Sequence, residues 1–167
     1  QNIRSSNPKL ADYATDIYQS STGRFDLYSL FVEKGHQIAL NGNLGYILPN
    51  KFFESGGGKP LRSHLVDTES IRRIVDFGEN QIFTGVTTYT CILLLEEGND
   101  EFEYSSIEEL PDSAGDIRQG DKASIDIGNL SADPWVLTDP QTESILNQIE
   151  TVGQTMSGVS QQILQGM

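Results

Sequence analysis

Residues 87–96, TTYTCILLLE, are an almost unbroken run of β-branched and apolar side chains. A strand with one wet face alternates apolar and polar residues, whereas a continuous run suits a strand covered on both faces. The chain must therefore place this segment at the centre of a sheet and layer other elements over it.

The segments before it supply such layers. From Asp26, Leu27, Phe31 and Ile38 recur at the helical period, with Leu30 and Val32 beside them, and predict a helix with one apolar face. Asn41-Gly42 is a suitable stop, because either residue readily takes the left-handed conformation. LGYILP at 44–49 reads as a short strand closed by Pro49, which cannot donate to a ladder. Gly56-Gly57-Gly58 reads as a flexible break. Pro60 suits the first turn of a second helix through Leu61 and Leu65. IRRIVDF at 71–77 is a further strand, and GENQIFTGV at 78–86 a loop with glycine at its start and near its end.

Helix, strand, helix, strand and a closely following strand predict part of an α/β layered sheet. Strands 44–49 and 71–77 should run in the same direction, since a helix crosses between them. Strand 87–96 follows too soon for a crossover. It should lie between the other two, antiparallel to both. The outer side of strand 44–49 is then an open edge, so the chain is expected to self-associate there or to cover the edge with residues 1–24. Residues 1–24 themselves read as a polar surface segment with a helical turn.

Charge divides the chain. Of the net −13, residues 1–95 contribute nothing, with nine Lys/Arg against nine Asp/Glu, whereas residues 96–167 set Arg118 and Lys122 against fifteen acids. The second half alone would repel phosphates, while the first half clusters Lys51, Lys59, Arg62, Arg72 and Arg73. After Glu97 the acidic, glycine-punctuated sequence predicts a linker with one or two short strands. Asp139-Pro140 then caps a helix with Ile145, Leu146, Ile149 and Val152 on one stripe, and Val159, Ile163 and Leu164 follow. No apolar run reaches membrane-spanning length, and no signal peptide opens the chain. Gln1, rather than Met, suggests a start inside a longer polypeptide.

Few residues offer chemistry. Cys91, the single cysteine, falls in the apolar strand and reads as a buried thiol. His36 and His64 lie in separate predicted helices, with no Cys or carboxylate at metal spacing. No nucleophile elbow, Walker loop or dinucleotide fingerprint occurs. Asp76 and Glu79 read as surface carboxylates at a strand end. Position is more informative, because ligands of open α/β sheets gather outside the carboxyl ends of the parallel strands. Two loops leave that edge, Pro49 to Phe53 and Gly78 to Val86. Phe52 and Phe53 read as packing. Phe83 reads equally as packing or as a ring that stacks on a flat heterocycle.

FDLYSLFVEKG, LGYILPNKFF and IRRIVDFGENQIFTGVTTYTCILLLEEG, in this order and spacing, resemble the gamma-class adenine-N6 DNA methyltransferases. The likeness is to single-chain type IIG restriction–modification enzymes and their methylase relatives. It is strong over residues 23–98 and weaker through PWVLTDPQTESILNQIE and VSQQILQGM, which look like the opening of the target-recognition domain. The resemblance implies an incomplete Rossmann-like sheet of a methyltransferase that uses S-adenosylmethionine, comprising its C-terminal strands with the last one antiparallel. Residues 1–98 would be the C-terminal part of that domain, 99–133 an acidic linker and 134–167 the start of the target-recognition domain.

The resemblance further implies a cytoplasmic enzyme acting on double-stranded DNA. It flips the target adenine out of the duplex, and the exocyclic amine attacks the methyl group. The family's Asn/Asp-Pro-Pro-Tyr/Phe motif is absent here, and Asn7-Pro8-Lys9-Leu10 is a superficial echo. The glycine-rich and acidic strand ends that hold the cofactor are absent as well. Phe83 matches the aromatic that stacks on the flipped base, and Pro49 and Asn50 match the pocket edge. The rival expectation is a non-catalytic interaction module with a methyltransferase-like sheet.

Overall fold

The computed structural model describes residues 3–39, 42–110, 113, 117, 122–138 and 140–152. Five strands form one mixed sheet: β1 (Leu44–Pro49), β2 (Ile71–Asp76), β3 (Thr90–Leu95), β4 (Glu101–Ser106) and β5 (Ala123–Asp126), in the order β1-β3-β2-β4-β5. β3 lies between β1 and β2 and is antiparallel to both, as its composition requires. Cys91, Leu93 and Leu95 are fully buried, while Ile92 and Leu94 on the opposite face are half-buried.

The segment expected as a linker contributes to this sheet. β4 runs parallel to β2, and β5 returns antiparallel to β4. Phe102 and Tyr104 are buried, while Glu101 and Glu103 face solvent, so the period of two turns an acidic sequence into a strand with one apolar face.

The helices are α1 (Ile3–Ser6), α2 (Pro8–Thr15), α3 (Leu27–Ala39), α4 (Lys59–Asp67) and α5 (Pro140–Val152). Residues 3–24 are thus more ordered than the expected surface segment. Ile3, Ala11, Ala14, Phe25 and Leu30 share a small apolar cluster of their own. Asn7 caps α2 by accepting from the Leu10 N–H at 3.2 Å, and Pro8 occupies the first turn, so the Asn-Pro pair serves a helix start. Residues 3–24 add no strand to the sheet, and β1 remains its terminal strand.

The predicted apolar face of α3 requires correction. Leu27, Phe31 and Ile38 form a stripe that is exposed, whereas Leu30, Val32, Glu33 and His36 are buried. The buried carboxylate is drawn inward by backbone donors: Glu33 accepts from Gln19 N–H at 3.0 Å and Ser20 N–H at 2.8 Å. A satisfied polar group can lie inside. The expected flexible break at 56–58 is a 3₁₀ turn. A Cβ on Gly58 would lie 2.2 Å from the Phe52 carbonyl oxygen, so only glycine fits that approach. Ile145, Ile149 and Val152 of α5 are exposed. The expected Asp139 cap, Asn41 and residues 159–164 lie outside the described residues, as does the Leu146 side chain.

The main core gathers Val32, Leu48, Leu61, Leu65, Ile71, Ile74, Leu93, Leu95 and Phe102 with Phe52, Phe53 and Trp135. Phe52 and Phe53 are therefore packing residues, as expected. Trp135 meets Phe52 edge-on at 5.9 Å and stacks on Phe53 at 6.4 Å.

Candidate functional site

β1 ends at Pro49, whose backbone is extended, and the chain turns at once into a 3₁₀ turn at Asn50–Phe52. Asn50 is held from two sides. Its backbone N–H donates to the Tyr89 carbonyl at 3.1 Å, and its side-chain Nδ2 donates to Asp76 Oδ1 at 2.9 Å and to the Gly78 carbonyl at 3.2 Å. Two acceptors fix the orientation of the amide and engage both of its N–H bonds. Asn50 Oδ1 is left as the acceptor that this side chain offers.

Asp76, read from sequence as a surface carboxylate, is the residue that orients Asn50. Its Oδ1 also accepts from the Gly78 N–H at 3.0 Å, a turn in which Gly78 takes φ +53°. Burial, reinforced by the Asp76 charge, pushes the neighbouring Tyr104 hydroxyl up to about 12.

Two open clefts flank the Asn50 turn. One, of about 480 Å³, is lined by Asn50, Lys51, Phe53, Glu54, Ser55 and Asp76. The other, of about 330 Å³, includes Asp26, Tyr28, Pro49, Asn50 and Tyr89. Lys51 Nζ pairs with Asp26 at 2.5 Å and lies 6.0 Å from the centre of the Tyr28 ring. Pro49 and Asn50 thus sit together at the carboxyl end of β1.

Phe83 lines neither cleft. It is carried on the loop that begins at Gly78, is 44 % exposed, and belongs to neither apolar cluster.

The basic cluster of the first half is engaged internally. Arg72 pairs with Glu96 at 3.2 Å, Arg73 with Glu103 at 3.7 Å, and Lys59 lies 3.9 Å from Asp133. Arg62 is buried among carbonyls.

Sequence reasoning missed the pairing of the two histidines. His36 Nδ1 lies 3.3 Å from His64 Nε2, both rings are buried, and Glu97 approaches His36 Nε2 at 3.7 Å. No local spacing reveals this, because the rings meet across α3 and α4. Among the described residues no group of three or more His, Cys, Asp or Glu could hold a metal ion. The Cys91 thiol is fully buried, and that burial raises its pKa. Among the described residues no helix is long and apolar enough to cross a membrane.

The comparisons with known proteins give a family match and a likeness in fold. The Eco57I restriction-modification methylase family matches residues 1–83. The Escherichia coli type II restriction enzyme and methyltransferase RM.Eco57I is 36% identical over 136 residues, which are 78% of this chain and 13% of that protein. The type II methyltransferase M.AccI of Acinetobacter calcoaceticus is 32% identical over 107 residues, or 62% of this chain and 20% of that protein. The chain therefore spans a fifth or less of the length of these two relatives.

Among solved structures, a nuclease-deletion mutant of the Type ISP restriction-modification enzyme LlaGI, in complex with a DNA substrate mimic, is similar in fold. The match has a TM-score of 0.51 at 17% identity and covers 72% of this chain and 12% of that one. Through residues 1–83, about half of its length, this chain belongs to the Eco57I restriction-modification methylase family.

Proposed function

We propose that the chain is the C-terminal part of the catalytic domain of a site-specific, adenine-N6 DNA methyltransferase. The enzyme takes its methyl group from S-adenosylmethionine, acts on double-stranded DNA in the cytoplasm, and belongs to a restriction–modification system. Residues 1–98 form the C-terminal part of the methyltransferase domain, 99–133 extend its sheet by β4 and β5 before leading on, and 134–167 open the target-recognition domain.

The observation that carries this reading is the fixed amide of Asn50. Its bonds to Asp76 and Gly78 draw the tip of β1 to the end of β2 and to the start of the Phe83 loop. A flat base flipped into this edge needs a ring for its face and polar groups for its rim. Phe83 offers an exposed ring that takes no part in the core, and Asn50 Oδ1 offers an acceptor beside Pro49.

The described residues do not fit S-adenosylmethionine. Gly56–Gly58 is a 3₁₀ turn packed on the Phe52 carbonyl, not a loop between a strand and a helix that could cradle a ligand. The Asp76 carboxylate is already engaged by Asn50 and Gly78. No step through the cofactor is therefore assigned to these residues, and the chain by itself is inactive in this reading.

A second reading, a non-catalytic interaction module, draws on the exposed stripe of Leu27, Phe31 and Ile38 and on a basic cluster whose members all have internal partners. Mass spectrometry of nucleosides, from DNA of cells expressing the full-length protein that carries this chain, separates the two. N6-methyldeoxyadenosine is expected above the level of cells lacking the protein. DNA without any added methylated base would favour the interaction module.

A further inference from the structure

Arg62 of α4 is 1% exposed and is among the largest fully buried side chains. Among the described residues it forms no ion pair. Its guanidinium binds backbone carbonyls instead. Nε donates to Ala132 O at 3.0 Å, and Nη1 donates to Ser55 O at 3.0 Å and also to Phe52 O. Phe52 and Ser55 belong to the turn that follows Asn50, a turn closed by Phe53 N–H to Asn50 O at 3.0 Å and Ser55 N–H to Lys51 O at 2.9 Å.

Ala132 belongs to a segment far along the chain, and that segment docks on the same turn. The Trp135 N–H donates to Phe53 O at 2.8 Å, its indole stacks on Phe53, and its Nε1–H returns to Ser131 O at 2.7 Å. One cation thus ties the Asn50 turn to the segment that leads into α5.

A buried guanidinium with no carboxylate in ion-pair contact, and with Asp133 acting on it only at longer range, is a costly way to fill space, which an aliphatic side chain would fill more cheaply. A planar fork with donors in fixed directions supplies orientation. We infer that Arg62 is a positioning residue for the target-base pocket: it couples the Asn50 edge to residues 131–135, so the C-terminal segment and the pocket edge move as one unit. The inference rests on the methyltransferase reading for the word pocket. The coupling itself stands on the geometry.

Amide hydrogen exchange tests the coupling without any need for activity. In Arg62→Lys, which keeps the charge and loses the fork, exchange at Asn50, Phe53 and Trp135 should quicken about tenfold or more, while Cys91 to Leu95 of β3 stay at wild-type rates. Equal rates everywhere, or a uniform rise that includes β3, would overturn the coupling. Should Arg62→Lys not fold, Trp135→Phe loosens the other arm. Its effect should reach the Asn50 amide, and wild-type exchange there would overturn the coupling equally.

In a full-length enzyme carrying the chain, Arg62→Lys should lower kcat about tenfold or more, as a displaced reacting group does, with DNA affinity within about twofold. An unchanged kcat, or equal losses of kcat and affinity, would reject the positioning role. Failure of the exchange result rejects the coupling, whereas absence of N6-methyladenine from wild-type cells rejects only the function of the pocket.

Discussion

Asn50 and Asp76, 26 residues apart, meet through a 2.9 Å hydrogen bond that joins the end of β1 to the end of β2 across the intervening β3. The bond is charge-assisted and partly buried, and Asp76 Oδ1 serves the Gly78 N–H as well. Asp76→Ala should therefore destabilise the fold by about 1–3 kcal/mol, because the Asn50 amide and the Gly78 N–H lose their acceptor together. Denaturant unfolding of both single variants and of the double variant checks this. Additive effects in that cycle would show that the two side chains are not coupled.

Buried His64 makes stability depend on pH. Burial, with the neighbouring His36 adding to it, lowers the pKa of His64 below its ordinary 6.5, and Glu33 and Asp67 oppose the shift without reversing it. Glu97 faces His36 from beyond β3. A depressed folded value means that the unfolded chain binds the proton more readily. The His64 contribution is then full above about pH 6.5 and is lost as pH falls through the lower folded value. Chemical denaturation between pH 7.5 and 5 should show falling stability, with a shallower slope in His64→Gln. Identical slopes would remove His64 as the source.

The sheet was largely legible in the sequence, and the reason is physical. β3 is nearly unbroken in apolar residues, β1 ends on a proline, and the short link before β3 leaves one strand order. Such patterns are set by neighbours along the chain. The inward face of α3 was not legible, because Glu33 is satisfied by Gln19 and Ser20, and His36 meets His64, through contacts that no helical period reports. The site was half legible. Pro49 and Asn50 lie at the expected strand end, yet the role of Asp76 depends on a turn at Gly78 that brings acceptor and amide together.

Among the described residues β1 is the terminal strand of the sheet and residues 3–24 add no strand beside it, which leaves its outer side as an edge open to pairing. Ile47 on this strand is 55% exposed. Sedimentation velocity of the isolated chain should show concentration-dependent self-association, and Ile47→Lys should shift the chain toward monomer, since edge charges oppose strand pairing. A wild-type monomer at high concentration would contradict the exposed edge.

Calorimetric titration of the isolated chain with S-adenosylmethionine should show no measurable heat of binding, because the described residues provide no fitting cradle. Stoichiometric binding would move the cofactor site into this chain and overturn the placement of residues 1–98 at the end of the domain.

In the proposed base pocket, the ring of Phe83 is the stacking element. Its loop leaves β2 beside the fixed Asn50, and removal of one stacking face is worth about 1–3 kcal/mol. The decisive comparison is the single-turnover methylation rate of wild-type and Phe83→Ala forms of a full-length enzyme carrying this chain, with cofactor affinity measured in parallel. The expected result is a rate lower by about one to two orders of magnitude with cofactor affinity unchanged, and with the fold intact because the ring is exposed. A Phe83→Ala enzyme with wild-type rate and wild-type DNA affinity would contradict the pocket assignment.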